Sequence, residues 1–356
     1  MLWAAHGLAV STRPRVDGPL GGREDARRII HSGAASPFDA RLPSGTSERL
    51  SLRVWIRILN HDAPLADEPT VIFLHVAQTG GTTLRTVLQR HYSSSEVLVL
   101  PSADREPSHL RPQREATLTH FATLPESTRV GVRLIEGHTI FGLHELVPRP
   151  STYITLLRDP VSLVMSKFLA ASRGPGERAD RGVTWGEMTL DAYVRSGISL
   201  ETDNSQTRAL SGDTSTPFGE CSVAMLELAK SNIRDRVSVA GLTERFDETL
   251  VLLRRTFGWS KLWYVRADGD LAWPRGQGAS PDTLRWIEQQ NRLDMELYGW
   301  ACRRFEEAIA SPSSDDELRS LHRQNSIYRP LGHATKTLPR RLQDRWRLRR
   351  NGSGGS

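Results

Sequence analysis

The sequence predicts an α/β fold, a mainly parallel sheet flanked by helices. Two observations carry this. A short apolar, β-branched run, a turn and a helical stripe follow one another from Val71, and the same succession recurs from Tyr153. Strands buried on both faces of a parallel sheet read as such runs, and strand–helix alternation builds such sheets.

The first unit begins with Val71 to Val76, VIFLHV, a predicted buried strand that Gly80 and Gly81 terminate. A helix follows from about Thr82, because Leu84, Val87, Leu88 and His91 fall on one helical face. The second unit begins with Tyr153 to Leu157. Arg158, Asp159 and Pro160 end that strand, with Asp159 suited to an N-cap and Pro160 to the first helical position. Val161, Val164, Phe168 and Leu169 then mark a helical stripe. Further helices are predicted over 185–196, 221–230 and 244–256, with one long helix from Pro281 to about Ile309.

Residues 1–50 are rich in Gly, Pro, Ser and Arg without apolar periodicity, so a poorly ordered N-terminal segment is expected. Residues 51–60 alternate partly and suggest an early strand. One α/β domain is expected over 51–312, followed by a basic, largely flexible tail over 313–356 that ends in NGSGGS. The segment 264–280, rich in Gly, Asp and Arg, is expected to be a loop, and Arg275 within it could close over a ligand.

The chain has 356 residues, 38% hydrophobic and 25% charged, as in soluble globular proteins. No apolar run approaches the roughly 18 residues that span a bilayer. Met1 to Val10 lacks a basic leader and is followed by Arg13 and Arg15, so no signal peptide is read and a cytoplasmic location is expected. Cys221 and Cys302 match no metal spacing and are expected to be free thiols. Arg329 to Arg350 holds eight Lys or Arg and one Asp, a net of +7 against +6 for the whole chain. The basicity thus belongs to the tail. Trp346, Leu348 and the arginines of 340–350 could touch an anionic membrane or polyanion weakly, with a solvated terminus as the plainer reading. No specific nucleic-acid partner is expected.

Two segments carry chemistry. In Gln78–Thr83, QTGGTT, a glycine turn joins a buried strand to a helix N-terminus. Outward-pointing amides and the helix dipole favour an anion there, and Thr79, Thr82 and Thr83 can add hydroxyl donors. The plainer reading is a helix cap after a strand. The loop is not a Walker A motif, since GxxxxGK[ST] is absent. That absence, with no clear magnesium carboxylate, argues against a nucleotide kinase or NTPase. In the second segment Arg158 sits at a strand's C-terminal end, where open α/β sheets bind ligands. It can clamp a phosphate, and Ser166, two helical turns on, could reach the same group. The plainer reading is a local Arg158–Asp159 pair.

Together, LHVAQTGGTTL (74–84) and TLLRDPVSLVMSKF (155–168) resemble the two nucleotide motifs of carbohydrate sulfotransferases that use 3′-phosphoadenosine 5′-phosphosulfate (PAPS), in particular the heparan sulfate 2-O-sulfotransferase group. EGHTIFGLHELVPRP (136–150) resembles the family's Gly-His segment, and 241–255 and 291–301 its later helices. The resemblance implies a P-loop-like, sulfotransferase-type three-layer sandwich and sulfuryl transfer from PAPS to a hydroxyl, without a metal. The acceptor implied is a carbohydrate or glycoconjugate. It further implies that Thr79, Gly80, Gly81, Thr82 and Thr83, with Gln78, wrap the 5′-phosphosulfate. Arg158 and Ser166 would hold the 3′-phosphate, and His138 would be the general base, with His144 the lesser candidate.

The sequence departs from the family pattern in three places. Gln78 stands where the family has a loop lysine, Ala77 where it has proline, and Leu163 where an arginine is frequent. Either another cation, Arg85 or Lys167, replaces the lysine, or the chain is a catalytically impaired nucleotide-binding protein of this fold.

Overall fold

The computed structural model describes residues 68–100, 110–139, 141–172, 188–213, 215–266 and 278–337. All lie in one compact unit, Leu50–Ser356. The readings for 1–50, 51–60, Arg275 and 340–350 lie outside the described residues.

Five parallel strands form the sheet: β1 (Thr70–Leu74), β2 (Val97–Val99), β3 (Leu134–Gly137), β4 (Ser151–Leu157) and β5 (Val237–Leu242). Their order is β2-β3-β1-β4-β5. β1 lies at the centre with every residue buried, as the TVIFL run requires. Both predicted strands are present, β1 slightly shorter than its apolar run and β4 two residues longer at its start. β2 and β3, on one side of β1, and β5 on the far side of β4 were not predicted.

The chain leaves β1 toward the β2 edge, returns to β3, crosses β1 to reach β4, and goes on to β5. The connections that leave β1 and β4 therefore diverge. At such a switch point a crevice opens outside the carboxyl ends of the strands. Both glycine- and arginine-bearing turns of the sequence emerge there.

Helix α1 (Gly81–Leu88) follows β1 and buries Leu84, Val87 and Leu88 against the core. Each such side chain contributes about 1.5–3 kcal/mol of burial. His91 continues the stripe in a 3-10 turn and stacks on Trp259 at 4.9 Å between ring centroids. Two unpredicted helices, α2 (Leu110–Thr123) and α3 (Glu126–Gly131), lead into β3. Helix α4 (Pro160–Ser172) follows β4, and Asp159 caps it as expected, its carboxylate accepting the Ser162 amide at 2.9 Å. Then come α5 (Leu190–Arg195), α6 (Ser205–Ser211), α7 (Val223–Arg236) and α8 (Phe246–Phe257).

Two expectations are corrected. The long helix from Pro281 is two, α9 (Pro281–Gln290) and α10 (Arg292–Ile309), broken at Asn291 with φ −105° and ψ 29°. The break is compensated, because the Asn291 side chain donates to Thr202 O and Ile287 O and accepts the Asn204 amide, each at 2.9 Å. Nor is the chain loose from residue 313. Helix α11 (Ser314–Thr337) packs against α8 and buries Leu321 and Asn325 completely or nearly so. Arg255 of α8 pairs with Glu317 at 2.5 Å to hold it. No helix among the described residues is long and apolar enough to cross a membrane.

Candidate active site

The turn after β1 has an unusual backbone. Gln78 is a non-glycine residue at φ 66°, and Gly80, the N-cap of α1, lies at φ 81°. Left-handed backbone is rare away from glycine, and such residues cluster where surrounding structure enforces them. Here three contacts do so. The Arg158 Nη1 donates to the Gln78 carbonyl at 2.7 Å. The Thr79 hydroxyl, fully buried, donates to Val76 O at 2.8 Å. The Thr243 hydroxyl, just after β5, contacts Thr79 O at 2.8 Å and Leu157 O at 3.0 Å. The two turns predicted to bind one ligand are thus joined directly. Beyond them α1 begins at Gly81, so its first-turn amides, including those of Thr82 and Thr83, face out of the helix end. Thr82 is exposed and Thr83 buried.

Arg158 is 8% exposed, and burial pulls its pKa below the ordinary arginine value, while Glu244 and Asp159 act the other way. It keeps its charge regardless. Its main chain is clamped by one side chain: Gln206 Oε1 accepts the Arg158 amide at 2.9 Å and Gln206 Nε2 donates to its carbonyl at 3.0 Å. Glu244 accepts the Asp159 amide at 3.0 Å and the Tyr298 hydroxyl at 2.8 Å.

Gln206 is fixed in turn by two helices that cap each other. The Asp294 carboxylate accepts the amides of Gln206 at 3.0 Å and Thr207 at 2.7 Å. The Asn204 Oδ1 accepts the amides of Leu293 at 3.0 Å and Asp294 at 3.1 Å. Asn204 holds φ 49° to do so. These residues are all buried. Nothing local in the sequence marks them, since each bond joins segments nearly ninety positions apart.

Ser166 and Lys167 lie in α4, and Ser166 is fully buried. The Lys167 ammonium is also buried, donating to Glu201 O at 3.0 Å and the Ser205 hydroxyl at 2.8 Å. It is therefore turned inward, not toward the loop.

His138 follows β3 and stacks on His75 at 4.5 Å, and His75 stacks on Phe73 at 5.3 Å. The other flank of the His75 ring lies against Gly81, where a Cβ would come within 2.0 Å of it. The His138 ring thus sits one residue's width from the glycine turn. Burial lowers the His138 pKa, with Arg85 and Lys167 acting in the same direction. The Glu201 charge and a bond to the His75 backbone oppose this. Burial, with His138 and Arg85, takes His75 down to about 3. His138 is therefore neutral and able to accept a proton at and below neutral pH. His144 is placed differently, with Nδ1 3.0 Å from the Tyr153 hydroxyl, which also accepts the His144 amide at 3.0 Å. That is a structural anchor.

Residues 25–312 match the galactose-3-O-sulfotransferase family. The chain belongs to that family. It is 29% identical over 279 residues to heparan-sulfate 6-O-sulfotransferase 1 of Cricetulus griseus, covering 66% of each chain. It is 28% identical over 329 residues to heparan-sulfate 6-O-sulfotransferase 1-B of Danio rerio, covering 78% of each. Against galactose-3-O-sulfotransferase 3 of Homo sapiens it is 27% identical over 256 residues, 67% of this chain and 57% of that protein. The chain spans about two thirds of the length of the first of these relatives. These relatives are named for the 6-O and 3-O positions of sugars, where the motifs had suggested the 2-O group.

The glycine turn, His138 and the Arg158 turn follow the carboxyl ends of the adjacent strands β1, β3 and β4. If His138 is the base, the acid limb of the pH–rate profile will lie below the ordinary histidine value of about 6.5. Glu201→Gln removes the opposing charge and should shift that limb further toward acid. A limb that stays in place in both proteins would exclude His138 from the titration.

Proposed function

We propose that this protein transfers a sulfuryl group from PAPS to a hydroxyl of a carbohydrate or glycoconjugate. The observation that supports the proposal is the bond from Arg158 Nη1 to Gln78 O at 2.7 Å, which brings the two turns together at the sheet's switch point. The donor set suits a polyanionic nucleotide. It combines helix-end amides, a glycine at φ 81° that admits close approach, and a buried guanidinium. Family membership supports the same chemistry.

When bound, PAPS supplies the sulfuryl group, with 3′-phosphoadenosine 5′-phosphate (PAP) as the leaving group. The Gln78–Thr83 turn holds the 5′-phosphosulfate through amides and the hydroxyls of Thr82 and Thr83, while the buried Thr79 hydroxyl, donated to Val76 O, shapes the turn instead. Arg158, just after β4, takes the 3′-phosphate, with Ser166 from the second turn of α4. Ser166 is fully buried, which leaves Arg158 the stronger anchor. His138 accepts the proton of the acceptor hydroxyl as that oxygen bonds to sulfur. The turn's amides receive the charge left on the phosphate oxygen as the old S–O bond breaks. No step assigns work to a metal.

Calorimetric titration with PAP, beside AMP and ATP, tests the site. Wild-type protein should bind PAP selectively. Arg158→Ala should weaken PAP by 100-fold, on the order of the loss of a buried charge-assisted contact, and AMP far less. Equal affinity for PAP and AMP in the wild type would defeat the proposal. The second reading, a nucleotide-binding protein without turnover, draws on the uncharged side chain of Gln78. PAP binding with no sulfuryl transfer to heparan sulfate or galactosides would favour it.

A further inference from the structure

This inference rests on the sulfotransferase reading above. Gln78 brings no charge to the turn, so a cation near the transferring group must come from elsewhere in the crevice. Among the described residues, three candidates stand on the elements that carry the two turns: Arg158, Lys167 and Arg85. Arg158 is engaged with Gln78 O and flanked by Asp159, Glu244 and Tyr298. Lys167 is buried and bonded inward to Glu201 O and Ser205. Arg85 differs from both. It lies one turn into α1, directly behind the glycine turn, with its side chain 41% exposed.

Arg85 is also aimed. Its Nε donates to Glu136 Oε1 at 2.7 Å, and Gln89 Nε2 donates to the same oxygen. Glu136 is fully buried in the last turn of β3, two residues before His138, and its Oε2 has no hydrogen-bond partner. A buried carboxylate half-satisfied in this way is costly, and what it accomplishes is to pin one edge of a guanidinium. The Nη groups keep the remaining donors. The Glu136 bond places that guanidinium beside the end of β3, two residues before His138, whereas Arg158 follows β4. Arg85 therefore stands on the His138 side of the crevice and Arg158 on the side of Glu244 and Tyr298.

We propose that Arg85, held by Glu136, contacts the sulfuryl oxygens of the donor and supplies the positive charge that Gln78 does not. Glu136 is then a positioning residue. The two arginines divide the donor between them, Arg158 at the 3′-phosphate and Arg85 at the end from which sulfur departs. PAPS and PAP differ only at that end.

The test follows from the difference. PAPS and PAP are titrated separately, without acceptor, into wild-type protein, Arg85→Ala and Glu136→Gln. Transfer of labelled sulfate to heparan sulfate and to galactose is measured alongside. Arg85→Ala should weaken PAPS about tenfold, leave PAP unchanged, and lower transfer by about 10²-fold. Glu136→Gln should show the same pattern, smaller. Gln78→Lys in the Arg85→Ala background should restore transfer, because it returns a cation to the crevice. Unchanged PAPS affinity in Arg85→Ala, or an equal loss for PAP and PAPS, overturns the assignment while leaving the sulfotransferase reading intact. A wild type activated by Gln78→Lys alone overturns it too, since the turn then lacks its cation. Failure of wild-type protein to bind PAP would instead sink the sulfotransferase reading itself.

Discussion

Arg208→Ala should destabilise the protein by about 3–5 kcal/mol, the cost of breaking a buried ion pair from one side. Arg208 is fully buried on α6. Its guanidinium pairs with the Asp203 carboxylate and donates to Asp203 O at 2.9 Å, Thr216 O at 2.6 Å and Pro217 O at 2.8 Å. Asp203 also receives the Gly219 amide at 2.8 Å and Gln290 Nε2 at 3.1 Å. Removing the arginine leaves a buried carboxylate without its counter-charge and the Asp203 and Thr216 carbonyls without a donor, while Pro217 O keeps the Glu220 amide at 3.2 Å. A urea melt gives the measurement, read as a fall in midpoint at constant slope. A loss below 1 kcal/mol would mean that water replaces the guanidinium and that the site is wetter than its packing indicates. Asp203 and Asn204 adjoin, so the damage should extend to the caps that fix Gln206 and Arg158.

Gly81→Ala should reduce transfer by a factor on the order of 10² or more, with little change in overall stability. The direction runs against local propensity. Alanine is favoured over glycine inside a helix by about 1 kcal/mol. Here the added Cβ would stand 2.0 Å from the His75 ring. That ring is held between Phe73 and His138, so it can yield only by pushing His138 out of place. The discriminating measurement adds His75→Ala to Gly81→Ala. If crowding is the cause, the double variant recovers transfer that the single one loses. No loss in the single variant would show that the histidine stack is soft.

The central half of the fold was legible because its signals are local. VIFLHV before two glycines and YITLL before Arg-Asp-Pro each declare a buried strand and its end within a dozen residues. The edge strands were not. β2 is three residues long and half-exposed, and β3 carries Glu136, a charge that hides its burial from any apolar count. The break at Asn291 was invisible for a related reason: the apolar stripe continues across it, and only the remote Asn204 loop gives the asparagine its partners. The same division runs through the site. Gln78–Thr83, Arg158 and His138 were proposed from short motifs, and Gln78 and Arg158 lie against each other. Gln206, Thr243, Glu244, Asp294 and Glu136, which hold those groups in place, make bonds across long separations and leave no pattern along the chain.

The mutual capping of α6 and α10 has a consequence for how the chain comes together. Both candidate turns lie in the first half of the sequence, yet the clamp on Arg158 waits for Leu293 and Asp294. During synthesis from the N-terminus, β1 and β4 can pair long before those residues exist. Closing contacts of such separation costs loop entropy that local pairing does not. The pocket is therefore completed late, by the C-terminal third of the chain. A fragment cut between Pro160 and Asp294 would keep both recognisable turns and lack the anchor that fixes the arginine.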